Sequence, residues 1–365
     1  VTDLKAGIDI GGTQIKGLLL KGGTIIYKAS QDTRDGADWK GEVKKMWHKL
    51  VDEAPTEITN VGLSAPGIAS ADHRSIAFLP NRLSGLEGFV WSDYLGVEVF
   101  VLNDAQAALW AEVKMGFGVG HQHVILITLG TGVGGGLLIN GNIHEGFIQR
   151  GGHIGHICLD AHGARTSITG MPGSLEDAIG EASLQARSLG RFQKTVDLVN
   201  NYEQGGTWAS HIWLESVRKL ALAIASMSNS ISPELVILAG GIAKAGSSLL
   251  RPLSDFLEVY EWRPGGTVTP IKVAKFEEFA GALGAAGVLT ELVGPFGKNL
   301  QDREAVAADR DDRGRSLPAE EAVAGGLGLL DRNAGQLQEP AEAAGHRRPA
   351  DGPPNELREP RPEVG

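Results

Sequence analysis

The chain has 365 residues, of which 42% are hydrophobic and 21% charged, so it has the composition of a globular protein with a sizeable core. Its formal net charge of −10 disfavours nucleic acids and anionic membranes as partners, because both require a basic surface. The single cysteine, Cys158, excludes a disulfide framework and a cysteine-rich zinc site, and it favours a reducing, cytoplasmic compartment.

The periodicity of apolar residues predicts alternating strands and helices, with no targeting or membrane segment. Residues 1–10 lack a basic region followed by an apolar stretch, so we expect no signal peptide. Residues 279–296 are rich in glycine and alanine and contain Glu291, which predicts an interior helix rather than a membrane span. The pattern predicts strands at 6–10, 17–20, 61–64, 97–102, 124–129, 137–139 and 235–238, and helices at 39–53, 105–115, 208–230 and 279–292.

Two segments share one pattern, a strand followed by a glycine-rich turn and a second strand. They lie at residues 6–20 and 124–139, and each is followed by helices and further strands. The repetition predicts an α/β protein with two similar lobes and a cleft between them. We expect the first lobe to comprise residues 1–119, completed by a closing helix at 279–294, and the second to comprise residues 120–278.

The end of the chain differs in composition from the rest. No aromatic residue follows Phe296, and eight of the 16 prolines lie at or after Pro295. Such a segment buries too little apolar surface to offset the entropy lost on ordering. We therefore predict a disordered tail over residues 295–365.

The first glycine-rich turn, Asp9-Ile10-Gly11-Gly12-Thr13, has residue types suited to phosphate binding. Glycines without a Cβ let backbone N–H groups approach phosphate oxygens, and Thr13 adds a hydroxyl donor. Asp9 is a candidate to hold Mg²⁺, directly or through water. The alternative is a tight hairpin whose glycines only supply positive φ. The aspartate inside an apolar strand favours the phosphate site.

The second glycine-rich turn, residues 130–136, contains five glycines in seven residues. A hairpin needs one or two glycines, so phosphate binding is favoured over a simple turn. The candidate contacts are Gly130, Thr131, Gly132 and Gly134. No Gly-Lys-Ser/Thr follows and no helix is predicted to begin there, so the segment is not a Walker A loop.

Two further motifs lie where predicted strands end. Asp104 joins a strand to a helix, and it is either the N-cap of that helix or a general base at the carboxyl end of the strand. The cap is favoured from Asn103-Asp104 alone, although both roles are compatible. Gly240-Gly241 suits either the close approach of a flat ligand such as adenine or a plain strand-to-helix turn.

Two histidines, His153 and His156, lie three residues apart in a glycine-rich segment, with Glu176 downstream. Histidine pairs can bind metals, but the surrounding glycines favour a loop that lines a pocket.

Taken together and in order, these motifs resemble the ROK sugar kinases and repressors, which share the fold of sugar kinases, actin and Hsp70. The resemblance covers about residues 4–293 and implies two actin-like, ribonuclease-H-like lobes with a cleft between them, assembled as a dimer or tetramer. The matching segments are Asp9–Thr13 and Gly130–Gly136 as phosphate loops, Pro66-Gly67 and Pro80-Asn81 as sugar loops, Leu102–Ala105 as the catalytic segment, Gly155-His156 and Leu175-Glu176 as the sugar signature, Gly240-Gly241 as the adenosine turn and Gly281–Gly287 as the returning helix.

Two departures from the family pattern are visible. The family's zinc site uses three cysteines in a run that corresponds here to residues 167–176, and this run contains none. Because hydroxyl groups are poor zinc ligands beside thiolates, we expect no structural zinc, which leaves His156 free for the sugar. The family's sugar-binding glutamate is replaced by His153, which can also donate or accept a hydrogen bond but differs in reach and charge.

The resemblance implies an ATP-dependent sugar kinase of the glucokinase type in carbohydrate metabolism. With Mg²⁺, it would transfer the γ-phosphate to the 6-hydroxyl of a hexose, with glucose or an N-acetylhexosamine as first candidates. ATP is the expected donor, and polyphosphate is the alternative. The implied residues are Asp104 as general base, Gly67, Asn81, Asn103, His153, His156 and Glu176 for the sugar, and Asp9, Gly11, Gly12, Thr13, Gly130, Thr131, Gly132, Gly134, Gly240 and Gly241 for the nucleotide, with Mg²⁺ at Asp9.

Three alternative functions are weighed against the kinase. A non-catalytic sugar sensor of the same fold is the first, since His153 departs from the pattern and the tail could recruit a partner. The retained Asp104 and both phosphate loops favour the kinase. A sugar-independent ATPase is the second. A DNA-binding repressor is the third, and it is disfavoured because the chain is acidic and no helix-turn-helix segment precedes Asp9.

Overall fold

The computed structural model describes residues 4–34, 38–80, 82–163 and 169–292. The strands are β1 (Leu4–Ile10), β2 (Gln14–Lys21), β3 (Thr24–Asp32), β4 (Asn60–Ala65), β5 (Ile68–Ala69), β6 (Ile76–Phe78), β7 (Glu98–Asn103), β8 (Val124–Leu129), β9 (Val133–Ile139), β10 (Asn142–Ile143), β11 (Leu235–Ala239) and β12 (Ile271–Val273). The helices are α1 (Trp39–Asp52), α2 (Trp91–Leu95), α3 (Asp104–Met115), α4 (Leu175–Ile179), α5 (Leu184–Arg187), α6 (Thr195–Glu203), α7 (Thr207–Ile231), α8 (Ser247–Tyr260) and α9 (Ala280–Leu292). Residues 295–365, predicted to form a tail, lie outside the described residues.

Two five-stranded sheets repeat one plan within the described residues. The first has the order β3-β2-β1-β4-β7 and the second the order β10-β9-β8-β11-β12. In each, the central strand pairs antiparallel with the strand that follows it and parallel with a later strand on its other side. The predicted α/β fold with two similar lobes is confirmed by this repetition.

The central strands of the second sheet are continuous runs of apolar residues because they lie in the core. Both β8 and β11 are buried almost throughout. Parallel strands covered on both faces lack the apolar–polar alternation of a half-exposed strand. The long helix α7 supplies much of the cover on one face, and the indole N–H of Trp213 donates to the carbonyl of Ser248 (2.8 Å). Within the described ranges, no helix is both long and apolar enough to cross a lipid bilayer.

Glycines let α9 lie unusually close to the first sheet. A Cβ at Gly7 or Gly62 would collide with carbonyl oxygens of α9, and one at Gly284 would collide with the carbonyl of Ala107 in α3. The helix therefore packs between β1 and β4 on one side and α3 on the other. Glycine serves here because any side chain would separate the backbones.

The glycine-rich turn predicted at residues 130–136 is wrong in extent, because β9 begins at Val133. Its last three glycines lie inside the strand and leave room for neighbouring segments. A Cβ at Gly134 would lie 3.2 Å from the Cβ of Ala105, and one at Gly136 would lie 3.0 Å from a methyl carbon of Leu109. Three of the five glycines thus allow packing rather than turning. The edge strand β3 was not predicted, since its side chains are mostly exposed or half-buried.

Candidate active site

The carboxyl ends of three parallel strands bring the first group of candidate residues together. In the sheet register, Asp9 of β1 lies opposite Ser64 of β4, and Ala65 of β4 lies opposite Asn103 of β7. Ligands of α/β sheets bind at this edge, because loops and helix N-termini converge there. The predicted Asp9 and Asn103-Asp104 therefore share one side of the cleft.

Asp9 is held within the protein rather than exposed on a turn. Its Oδ1 accepts a hydrogen bond from the hydroxyl of Ser64 (2.6 Å), and a Cβ at Gly281 of α9 would collide with the carboxyl group. Burial raises the pKa of Asp9 to about 6, while the Ser64 hydrogen bond lowers it, the charge of Asp104 raises it and that of Lys16 lowers it. Asp9 and Asp104 thus act on each other as like charges.

Asp104 is the first residue of α3, not its cap. The N-cap is Asn103, whose Oδ1 accepts hydrogen bonds from the N–H groups of Ala105 (3.0 Å) and Gln106 (3.2 Å). The prediction that Asp104 caps the helix is therefore wrong, because the cap is the preceding residue. Extended backbone at Asn103 places that amide, and not the following carboxylate, over the open end of the helix.

The Asp104 carboxylate is oriented by its neighbours and open to the cleft. It accepts hydrogen bonds from the N–H of Ala105 (2.8 Å) and from Nδ2 of Asn103 (3.0 Å). The surrounding protein removes it from bulk water and so raises its pKa, while the Ala105 N–H, the charge of Arg82 and the Asn103 hydrogen bond lower it. A carboxylate with a raised pKa is a stronger base than an ordinary aspartate.

Asn103 links the helix to one of the predicted sugar loops. Its Nδ2 donates to the carbonyl of Gly67 (2.9 Å) as well as to Asp104, and its Oδ1 accepts two backbone N–H groups. All four hydrogen-bonding positions of the amide are thus used inside the protein. In this arrangement Asn103 positions Gly67 and Asp104 relative to each other. Asn81, the other asparagine predicted to bind the sugar, lies outside the described residues.

The first predicted phosphate loop keeps two backbone donors free. The N–H of Gly11 donates to the carbonyl of Gln14 (2.9 Å), and the hydroxyl of Thr33 donates to the carbonyl of Gly11 (2.7 Å). The N–H groups of Gly12 and Thr13 have no hydrogen-bond partner among the described residues. Unpaired N–H groups in a glycine turn can accept an anion.

The second predicted phosphate loop is also held by backbone hydrogen bonds. Gly130 donates to the carbonyl of Gly132 (3.0 Å), and the carbonyls of Gly130 and Thr131 accept N–H groups from Glu181 and Ala182. In the part of the chain that the structure describes, the N–H groups of Thr131 and Gly132 stay unpaired. The N–H of Gly134 is already used, because it donates to Oγ1 of Thr128 (3.0 Å).

Glu176 connects the predicted sugar signature to this second loop. Its Oε2 accepts the N–H of Val133 (3.0 Å), and a Cβ at Gly132 would collide with the same oxygen. Glu176 stands in the first turn of α4, which Ser174 caps by accepting the N–H of Asp177 (3.0 Å). The glycine at position 132 therefore leaves room for the carboxylate that closes the turn.

The two predicted histidines lie side by side. The rings of His153 and His156 are nearly parallel (6°), with centroids 6.3 Å apart. His153 Nε2 and His156 Nδ1 are buried and have no hydrogen-bond partner among the described residues. Burial lowers the pKa of His153, and the nearby His156 and Arg150 lower it further. A neutral imidazole with an unpaired nitrogen is suited to a ligand hydroxyl group.

The predicted adenosine turn adjoins the second phosphate loop. Ala239, the last residue of β11, lies opposite Thr128 of the neighbouring strand β8. Gly240 has a φ of +90°, and a side chain there would collide with the backbone of Leu129. Gly241 borders open space, which is consistent with either a ligand or solvent next to it.

Two residues of this site were missed from the sequence. Ser64 carries the same signal as Asp9, a polar residue near the end of an apolar strand. Arg82, whose guanidinium group lies near both Gly12 and Asp104, carries no local signal at all. Among the described residues, no group of three His, Cys, Asp or Glu side chains is placed to hold a metal ion. Residues 164–168 are outside that set, so the expected lack of zinc stays a prediction.

Several known proteins are similar to this chain over most of its length. A model of the ROK family matches residues 5–291. A glucokinase from Halalkalibacterium halodurans is 31% identical over 318 residues, covering 78% of this chain and 94% of the relative. An N-acetylmannosamine kinase from Yersinia pestis is 30% identical, with 76% of this chain and 96% of the relative covered. A Streptomyces griseus ROK glucokinase, solved with glucose and AMPPNP, has a TM-score of 0.64 and 27% identity, covering 78% of this chain and 98% of that structure.

Proposed function

This chain belongs to the ROK family, and on that premise we propose that it is an ATP-dependent sugar kinase. The reaction is transfer of the γ-phosphate of ATP to the 6-hydroxyl of a hexose. The observation that carries the proposal is the position of Asp104, an oriented carboxylate with a raised pKa, in a cleft bordered by two loops with unpaired N–H groups. A protein that only bound sugar would not need this base.

Asp104 accepts the proton of the sugar's 6-hydroxyl as that oxygen attacks the γ-phosphorus in line with the departing ADP. An alkoxide is too costly to form beforehand, so the proton moves during the transfer. Asn103 and the N–H of Ala105 hold the carboxylate in place. The N–H groups of Gly12, Thr13, Thr131 and Gly132 contact the phosphates, and closure of the lobes excludes water that would otherwise hydrolyse ATP.

Asp9 is the residue that would hold Mg²⁺ in the proposed reaction. Magnesium is bound by one or two carboxylates together with the phosphates of the substrate, and it prefers oxygen ligands. The Asp9 carboxylate fits, because it offers an oxygen ligand beside a loop with unpaired N–H groups, where a cation would offset the repulsion from Asp104. Asp9 would hold the ion directly or through water, and the bound ion would neutralise charge on the phosphates.

The sugar is held by groups from both lobes. His153 and His156 each offer an unpaired ring nitrogen, and Glu176 has one carboxylate oxygen not used by Val133. With Gly67 and Asn81, these groups would fix the remaining hydroxyls of the ring. Glucose and N-acetylhexosamines are the first candidates, since relatives acting on each class are about 30% identical to this chain.

Other features expected from the sequence stay proposals. They are the lobe boundaries (1–119 with 279–294, and 120–278), a cytoplasmic location, a dimeric or tetrameric assembly and the adenosine contact at Gly240-Gly241. A non-catalytic sugar sensor remains the alternative function.

ADP release with Mg-ATP, measured across a panel of hexoses and N-acetylhexosamines, tests the proposal. Strong stimulation by one sugar is the expected result, and it would also name the substrate. A sensor would show sugar-induced thermal stabilisation with no ADP release. An ATPase would release ADP at the same rate with and without sugar.

A further inference from the structure

Arg82 brings a positive charge to the first phosphate loop from a distant part of the chain. A Cβ placed on Gly12 would collide with Nη2 of Arg82 and would lie 3.6 Å from its Cζ. The guanidinium group therefore lies directly against the glycine whose N–H is unpaired. The absence of a side chain at Gly12 leaves room for this approach.

The same charge reaches the proposed base. The charge of Arg82 lowers the pKa of Asp104, as do the N–H of Ala105, the amide of Asn103 and the backbone N–H of Asp104 itself. The guanidinium group thus lies against the phosphate loop and acts electrostatically on the carboxylate. In a kinase, the γ-phosphate must lie between the loop, which holds the phosphates, and the base, which holds the acceptor hydroxyl.

The N–H donors of the Arg82 guanidinium group are unpaired among the described residues. Within the described ranges Arg82 forms no ion pair at 4 Å or less and no hydrogen bond, although a guanidinium group carries five N–H donors. Its side chain is exposed in the wall of a cavity of about 610 Å³, which is also lined by Leu79, Pro80 and residues 83–87. A planar cation with free donors beside a glycine turn is well suited to phosphate oxygens.

We propose that Arg82 is a further catalytic residue, whose guanidinium group donates hydrogen bonds to the γ-phosphate oxygens while the phosphoryl group is transferred. The bond between the sugar's O6 and the γ-phosphorus forms as the bond from the γ-phosphorus to the β,γ-bridging oxygen breaks. The electron pair leaves with ADP, and the proton of the hydroxyl goes to Asp104. Arg82 stabilises the charge on the three transferring oxygens. This inference rests on the proposed kinase function.

The test is steady-state kinetics of Arg82→Met and Arg82→Lys with the sugar that stimulates the wild-type protein. For Arg82→Met we expect kcat to fall about 10²- to 10³-fold, the size of effect seen when one donor to a developing negative charge is lost. The KM for the sugar should change less than about threefold, since the guanidinium group contacts phosphate. Arg82→Lys should recover part of kcat, because it keeps the charge but loses the fork of donors.

A second readout separates catalysis from a structural role. Without the charge of Arg82, the pKa of Asp104 rises, so the acidic limb of the kcat/KM profile should move to higher pH in Arg82→Met. Added guanidinium at millimolar concentration should raise kcat of Arg82→Met and leave the wild type unchanged. The matched control is Arg74→Gln, an exposed arginine on the turn before β6, whose kinetics should equal those of the wild type.

Either of two results would overturn the inference. One is a kcat of Arg82→Met within threefold of the wild type. The other is a rise in the KM of the sugar with kcat unchanged, which would make Arg82 a sugar-positioning residue. Loss of activity in Asp104→Asn alongside an active Arg82→Met would retain the kinase function and reject only the role of Arg82. Thermal melts of both Arg82 variants show whether they are folded.

Discussion

The two lobes share one strand–turn–strand unit but carry different side chains at the same position in it. Asp9 is the penultimate residue of β1, and Thr128 is the penultimate residue of β8. Asp9 bonds to Ser64 on the neighbouring parallel strand, whereas Thr128 accepts an N–H from Gly134 within its own hairpin. The first lobe therefore places a charged group at the cleft, and the second supplies a neutral turn with backbone donors. The repeated backbone places Asp9 and Thr128 at equivalent positions, and the difference between these two side chains gives the charge to the first lobe.

Replacing the charged member of this pair should have the largest effect. In Asp9→Asn we expect kcat/KM to fall about 100-fold or more, because the amide binds Mg²⁺ poorly. The same variant should be more stable at pH 7 by about 2 kcal/mol, since it removes a buried charge while keeping an oxygen for Ser64. Activity assays and thermal melts at pH 7 measure both effects.

Thr128→Val is the matched change in the second lobe. It removes the acceptor of the Gly134 N–H, so it should lower stability by about 1 kcal/mol and reduce kcat/KM less than tenfold. Equal losses of activity in Asp9→Asn and Thr128→Val would contradict the division of roles between the lobes.

The pH dependences of activity and stability should have opposite signs. The pKa values of Asp9 (about 6) and Asp104 are raised, and both carboxylates must be ionised in the reaction, so kcat/KM should fall as the pH drops below about 6. The native state of the ligand-free protein binds a proton at Asp9 more readily than the unfolded chain does. The Asp9 contribution to the free energy of unfolding should therefore increase from pH 7 to pH 5.

Asp9→Asn provides the control for that linkage. Its free energy of unfolding should change less between pH 7 and pH 5 than that of the wild type. Chemical denaturation at the two pH values measures the difference. An unchanged pH dependence in the variant would show that Asp9 titrates normally in the folded protein.

Substitutions of two glycines in the second lobe test phosphate binding and packing separately. A Cβ at Gly130 meets nothing within 4 Å, so Gly130→Ala should keep its stability, and the added methyl group should raise the KM of ATP about tenfold by obstructing phosphates bound at the neighbouring Thr131 and Gly132. Gly136→Ala crowds Leu109 of α3 and should lower stability by about 1–3 kcal/mol without changing the KM of ATP. The reverse outcome would place the nucleotide at the strand glycines instead of the turn.

The smallest expected effect concerns the sugar. His153→Glu restores the carboxylate of the family pattern, and we expect it to change the KM of the preferred sugar by about two- to tenfold with kcat nearly unchanged. Kinetics across the sugar panel measure this. An altered kcat with constant KM would assign His153 to the transfer step rather than to recognition.

Much of this site could be predicted from sequence because its signals are local. Asp9 and Asp104 interrupt or end apolar strands, and the order of parallel strands then brings them to one edge. The cap was assigned to the wrong residue because Asn103 and Asp104 are both good caps, and only the backbone angles decide between them.

The remaining features depend on tertiary contacts that no local pattern reveals. The high density of glycines at 134–136 is the same whether they form a turn or leave room for neighbouring segments such as α3. Arg82 acquires its place only because folding brings it against Gly12, 70 positions earlier in the chain. Edge strand β3 has little buried apolar surface, so its periodicity is weak.

The activity of Asp104→Asn, measured beside Asp93→Asn, tests most directly that the first lobe supplies the base of a sugar kinase. Asp93 is exposed in the first turn of α2 and serves as the matched control. We predict that sugar-stimulated ADP release falls about 10³-fold in Asp104→Asn and is unchanged in Asp93→Asn, with sugar-induced thermal stabilisation kept in both. Sugar-stimulated release in Asp104→Asn equal to that of the wild type would contradict the assignment of Asp104 as the base.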